Sequence, residues 1–116
     1  MKEVFLHYLW RYQNFNFLNL KTTSGDSLSV ICVGQLNTGS ALDFSMAQLQ
    51  IGAVRFTGSV EIHLHSLQWY HHRHRQDSAY NNVILHVIWE EDMPLQSPSG
   101  KSLPTLELSY YLNPEL

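Results

Sequence analysis

The stretch "EIHLHSLQWYHHRHR", residues 61–75, carries five of the chain's seven histidines together with Glu61 and two arginines. Glu61 and His63 are two apart, so on a β-strand they share a face and project into one space. Asp43 opens the preceding apolar stretch, and in a hairpin it meets Glu61 across the sheet. Carboxylates brought together raise one another's proton affinity unless a divalent cation neutralises them. An oxygen-rich pair suits Mg²⁺ or Mn²⁺, and a neighbouring imidazole shifts the preference toward Mn²⁺ or Zn²⁺. Such a centre can activate water and stabilise a phosphoryl oxyanion. Asp43 and Glu61 are therefore the candidate metal ligands, and Asp43, Glu61 and His63 the candidate catalytic set. His63 would position or activate water, or hold the phosphate.

Five further residues could support that set. Asn37, in the loop before Asp43, could orient its carboxylate. His74 and Asp77 are three apart, share a helical face and could steer His63, with His72 nearby. His86 sits in an apolar run and could point at the same space. Plainer readings stand beside each. Glu61 and His63 also suit a solvated strand face with an ion pair, Asn37 a loop cap, His74–Asp77 a local hydrogen bond and His86 a satisfied core imidazole. His63-x-His65 as a zinc pair lacks the later ligands of a cupin, and His65 reads as surface. Arg73, Arg75 and His71 make a small basic patch.

The elements that must position these groups follow from periodicity. Val4, Phe5, Tyr8, Leu9 and Tyr12 recur at helical spacing and predict an opening amphipathic helix packed through that stripe. "KTTSGDSLSVICVG" reads as a strand, a turn at Ser24-Gly25-Asp26 and a second strand, with Cys32 as a small buried hydrophobe. "QLNTGSALD" reads as a loop and "DFSMAQLQIG" as a strand closed by Gly52. "VRFTGSVEIHLH" alternates strictly. Ser66 caps a helical crossover through residues 67–80, seated by Trp69 and Tyr80. "NNVILHVIWEED" is an apolar strand of a sheet centre, with Glu90-Glu91-Asp92 guarding its end, and "LPTLEL" is a last short strand. The fold class is α/β (α+β): an N-terminal helix and a mixed, mostly antiparallel central sheet with a helical crossover.

Composition bounds the functions. With 116 residues, 44% hydrophobic and 15% charged, the chain reads as one globular domain over 1–116. A net charge of −3 gives no global basic field to recruit nucleic acid, though a local patch can do so. One cysteine excludes an internal disulfide framework and a cysteine-based zinc site. No stretch reaches the roughly 20 apolar residues of a membrane span, and Glu3 interrupts any leader-like run, so a cytoplasmic protein is expected.

Two resemblances add to this. "LDF" with Asp43 and "EIH" with Glu61 and His63 resemble the PD-(D/E)xK nuclease motif, with Leu42 in the proline place and His63 in the lysine place. That resemblance implies a restriction-endonuclease-like core, a Mg²⁺ or Mn²⁺ cofactor and a nucleic-acid substrate. More extensive is the run from Gly34, Leu36 and Asn37 through Asp43-Phe44, Gly58, Val60-Glu61-Ile62-His63, Ser66, Trp69, His72, His74, Asp77, Tyr80 and His86. It resembles the N-terminal part of a bacterial domain-of-unknown-function family, number 2851, departing at Ala41-Leu42, Gln68 and His65. That family's members are longer, which implies that this chain is the N-terminal portion of a longer architecture. Two functions are expected from these readings. One is a metal-dependent phosphodiesterase acting on nucleic acid. The other is a non-catalytic binding or assembly module whose polar histidine-rich face docks a partner domain or a second copy, with lectin-like or cupin-like ligand binding a distant third.

Overall fold

The computed structural model describes residues 2–38, 43–65, 82–90 and 102–112. Helix α1 spans Glu3–Tyr12, with Glu3 in its first turn and Arg11 in its last, both complementing the helix dipole. It ends where Gln13 turns left-handed at φ 52°; the Gln13 side-chain amide also donates to the Trp10 carbonyl at 2.7 Å. The buried stripe of α1 is Leu6, Leu9 and Trp10. This corrects the expected packing face: Val4 (68% exposed), Phe5, Tyr8 and Tyr12 (62%) point outward, and Leu9 alone of the expected stripe is buried. The helix is apolar around most of its circumference, so spacing admits two stripes, and the fit of Trp10 decides between them. Its indole N–H donates to the Val33 carbonyl at 3.1 Å.

One mixed sheet follows: β1 (Leu28–Cys32), β2 (Gln35–Leu36), β3 (Phe44–Ile51), β4 (Val54–His65), β5 (Val83–Glu90) and β6 (Thr105–Glu107), then a 3-10 turn at Leu108–Tyr110. Spatial order is β1-β3-β4-β5-β6, with β2 beside β3. The pairs β1/β3, β2/β3 and β3/β4 are antiparallel, and β4/β5 and β5/β6 are parallel. The expected α+β class with one N-terminal helix and a mixed sheet therefore holds. The alternation of residues 54–65 gave β4 with its full extent, and the apolar run gave β5 inside the sheet, between β4 and β6.

Three local expectations are corrected. The first arm of "KTTSGDSLSVICVG" makes only an isolated bridge, Lys21 to Ser27. Cys32 is exposed, because β1 is an edge strand whose register slips between Val30 and Cys32. Gln35–Leu36, expected as loop, pairs with Ser45 and Phe44. Gly34 enables that approach: a Cβ there would stand 2.6 Å from the Ser45 carbonyl oxygen. Gly58 does the same between β4 and β5, where a Cβ would meet the Asn82 oxygen at 2.5 Å. The expected crossover at residues 66–80 lies outside the described residues.

Leu6, Leu9 and Trp10 form one apolar core with Phe44, Leu49, Val60, Ile62, Leu85, Val87 and Leu106. From Ser59 to His63 every residue of β4 is buried, whichever way its side chain points. No helix among the described residues is long and apolar enough to cross a membrane.

Candidate carboxylate–imidazole site

The site forms where the sheet changes from antiparallel to parallel pairing, at the head of β3 and the tail of β4. A bulge sets its alignment. Ala47 pairs with Gly58, and continuing that register would place Asp43 opposite Ile62; instead Phe44 pairs with Val60, which brings Asp43 opposite Glu61. The extra residue is absorbed around Met46, held left-handed at φ 59°.

The two acids then clasp each other's strand. The Asp43 backbone N–H donates to Glu61 Oε2 at 2.9 Å, and the Ile62 N–H donates to Asp43 Oδ2 at 2.6 Å. Glu61 is 1% exposed and His63 3%, so the solvated-face reading of this pair is corrected: from Ser59 to His63 the polar side of β4 is interior. His63 Nε2 lies 3.9 Å from Glu61 Oε1, and its ring stands edge-on to that of His86, centroids 5.1 Å apart. His86 is fully buried, and His65 is exposed at the strand end.

Two residues that the motif readings passed over complete the cluster. Glu3 and His7, one turn apart on α1, face it: Glu3 Oε2 lies 3.4 Å from His63 Nδ1, Glu3 Oε1 3.8 Å from His7 Nε2, and His7 Nε2 3.5 Å from Asp43 Oδ1. The i,i+4 spacing of an acid and a histidine at the helix start was the available signal. Among the described residues, Glu3, His7 and Asp43 are the group whose ligand atoms all lie within 4.8 Å of one another. Asn37 closes the loop into β3, its N–H donating to the Asp43 carbonyl at 2.9 Å and its side-chain oxygen accepting from Ser45 at 3.3 Å. His72, His74 and Asp77 lie outside the described residues.

Protonation follows the geometry. Burial, then the Asp43 charge, pushes the Glu61 carboxyl up to about 8, against the hydrogen bond from the Asp43 N–H. Burial also raises Asp43, opposed mainly by the Ile62 N–H. The polar contact with His63 and then that with His7 hold Glu3 down at about 2. The Glu3 contact raises His7 against its partial burial. Neighbouring acids are thus driven in opposite directions, as in sites that bind cations or move protons.

Fold and cluster together define an α+β domain with a half-open carboxylate–imidazole centre where α1 meets β3 and β4. The chain belongs to the family described as Protein of unknown function (DUF2851), whose family model matches residues 3–116. No curated protein and no solved structure matches it.

Proposed function

We propose that this domain is a divalent-cation-dependent phosphodiesterase acting on nucleic acid, on a restriction-endonuclease-like core. The reciprocal clasp of Asp43 and Glu61 carries the reading: an acid at the entry of one strand and a Glu-x-His on its antiparallel neighbour converge after an opening helix. The parallel strand β5 beyond them fits the same order of elements. Mg²⁺ or Mn²⁺ would sit at the Asp43–Glu61 pair, with Asp43 the more open member. Bound there, a cation supplies a lowered-pKa water and charge stabilisation for the phosphoryl oxygens. His63, buried between Glu3 and Glu61, is a positioning residue that steers both acids rather than a group that touches substrate.

The test is cleavage of end-labelled single-stranded DNA, duplex DNA and RNA in millimolar Mn²⁺ or Mg²⁺. Cleavage should disappear with EDTA and fall several hundredfold with Asp43→Asn. If none of the three substrates is cut under conditions where Mn²⁺ is bound, the reading fails.

A second reading, an assembly module, has its own observation. Val4, Tyr8 and Tyr12 leave an apolar helix face exposed beside Leu36, with a groove of about 220 Å³ between them and Phe44. Sedimentation equilibrium of wild type and Tyr8→Ser tests self-association through that face, and a monomer at all concentrations counts against it.

A further inference from the structure

We infer that Glu3, His7 and Asp43 form a transition-metal site with ligand atoms Glu3 Oε1, His7 Nε2 and Asp43 Oδ1, preferring Mn²⁺ or Zn²⁺ to Mg²⁺. It shares Asp43 with the proposed phosphodiesterase centre and rests on the reading of Asp43 as a cation ligand, but on no hydrolytic activity.

Three observations converge. The first is spacing. Ligand atoms each about 2.1 Å from one ion lie roughly 3 to 4.2 Å apart. His7 Nε2 stands 3.5 Å from Asp43 Oδ1 and 3.8 Å from Glu3 Oε1, and one ligand atom from each of the three residues lies within 4.8 Å of the others. These separations exceed a hydrogen bond and suit a shared ion.

The second is how each carboxylate is held. Asp43 Oδ2 accepts the Ile62 N–H at 2.6 Å, which leaves Oδ1 aimed at His7. Glu3 Oε2 faces His63 Nδ1 at 3.4 Å, which leaves Oε1 aimed at His7. Each acid has one oxygen anchored and one directed into the same space. Supporting contacts of this kind orient metal ligands and fix their geometry. Glu61 then acts indirectly, holding the Asp43 backbone from behind through Oε2.

The third is His7 itself. Its Nε2 is shielded from solvent, makes no hydrogen bond and points between the two carboxylates. A shielded imidazole nitrogen facing two carboxylate oxygens is a ready donor to a cation. The side chains of Glu3, His7 and Asp43 keep part of their surface open, so three protein ligands leave coordination positions for water or substrate. Two oxygens and one imidazole nitrogen favour Mn²⁺ or Zn²⁺ over Mg²⁺, which holds its waters and prefers all-oxygen sites.

Isothermal titration of the full chain with Mn²⁺, Zn²⁺ and Mg²⁺ tests the site. One ion per chain is expected at the Glu3–His7–Asp43 site, with Mn²⁺ and Zn²⁺ at least tenfold tighter there than Mg²⁺. His7→Ala and Glu3→Gln should each weaken Mn²⁺ at least tenfold, and Arg55→Ala should not. Absence of Mn²⁺ and Zn²⁺ binding, Mg²⁺ binding as tightly as Mn²⁺, or wild-type Mn²⁺ affinity in His7→Ala overturns the inference. If either variant loses its far-ultraviolet circular dichroism, substoichiometric Mn²⁺ added to wild type decides. Broadening of the His7 imidazole resonance ahead of those of His63 and His86 supports the site, and a His7 signal that stays sharp while His63 and His86 broaden overturns it. Mn²⁺ binding without nucleic-acid cleavage would overturn the phosphodiesterase and leave the site standing. Cleavage that needs Asp43 but is indifferent to His7 and Glu3 would do the reverse.

Discussion

The molecule has a roomy pocket and a crowded polar cluster, and they are different places. The pocket, about 390 Å³, lies between the Lys21–Gly25 turn and the end of β6, lined by Thr22, Thr23, Glu107, Tyr110 and Tyr111. Key polar groups on its walls are already engaged in structural work. The Tyr111 hydroxyl accepts from the Lys21 N–H at 3.0 Å and donates to the Lys21 carbonyl at 3.2 Å, and Thr22 Oγ1 accepts from the Asp26 N–H. In the cluster of Glu3, His7, Asp43, Glu61 and His63, acids are driven toward opposite protonation states. Volume marks where something could fit, while converging titratable groups mark where chemistry is favoured.

The contrast can be broken most decisively through Glu61. Its pKa is raised to about 8, so its contribution to stability is complete below its unfolded value near 4.5 and is lost as pH rises through about 8. In EDTA, wild type should lose on the order of 4 kcal/mol relative to Glu61→Gln between pH 4 and pH 9, read from urea midpoints. Parallel pH profiles for the two proteins would show that Glu61 is no more perturbed than a surface acid. His7, also raised, loses its contribution as pH rises, whereas Glu3, lowered to about 2, loses its contribution as pH falls toward that value. Both are present in each protein, and the difference isolates Glu61.

Next in size is the rate effect. Asp43→Asn should reduce Mn²⁺-dependent cleavage several hundredfold, roughly 3.5 kcal/mol of barrier, while Tyr110→Ala in the roomy pocket leaves the rate within about threefold. A larger loss from Tyr110 (81% exposed) than from Asp43 would move the functional site to the pocket. Free Mn²⁺ at a hundred times its wild-type Kd should then raise folding stability by about 2.7 kcal/mol, and His7→Ala should cut that gain to about 1.4 kcal/mol or less in a thermal shift series. The smallest effect belongs to the pocket wall. Tyr111→Phe removes two hydrogen bonds to Lys21 and should cost about 1 kcal/mol of stability while leaving Mn²⁺ affinity unchanged.

Much of the frame was legible because its causes are local. Alternation over residues 54–65 is a property of the pleat, and it delivered β4 whole, with Glu61 and His63 two apart. The acid opening the preceding strand pointed to a meeting of Asp43 and Glu61, and the reciprocal hydrogen bonds bring the two residues together. Glu3 entered the sequence reading only as a break in an apolar run, and His7 did not enter it. Their i,i+4 spacing is common to countless surface pairs, and nothing local says which way a helix will roll.

The amino-acid sequence by itself determined the opening helix and the strands β1, β3, β4, β5 and β6, the membership of Glu61 and His63 in one strand, and the acid at position 43 that would face them. Tertiary structure decided three further things. It rolled α1 onto Leu6, Leu9 and Trp10, which turned Glu3 and His7 toward the strands and left Val4, Tyr8 and Tyr12 outside. It placed a bulge at Met46, which moved Asp43 by one register position onto Glu61. It buried both sides of β4 from Ser59 to His63, which turned an apparently solvated polar face into an interior one. The physical reason is the range of the forces involved. Periodicity and turn chemistry act over a few neighbouring residues, whereas burial and the protonation it imposes depend on groups as distant in sequence as Glu3 and His63.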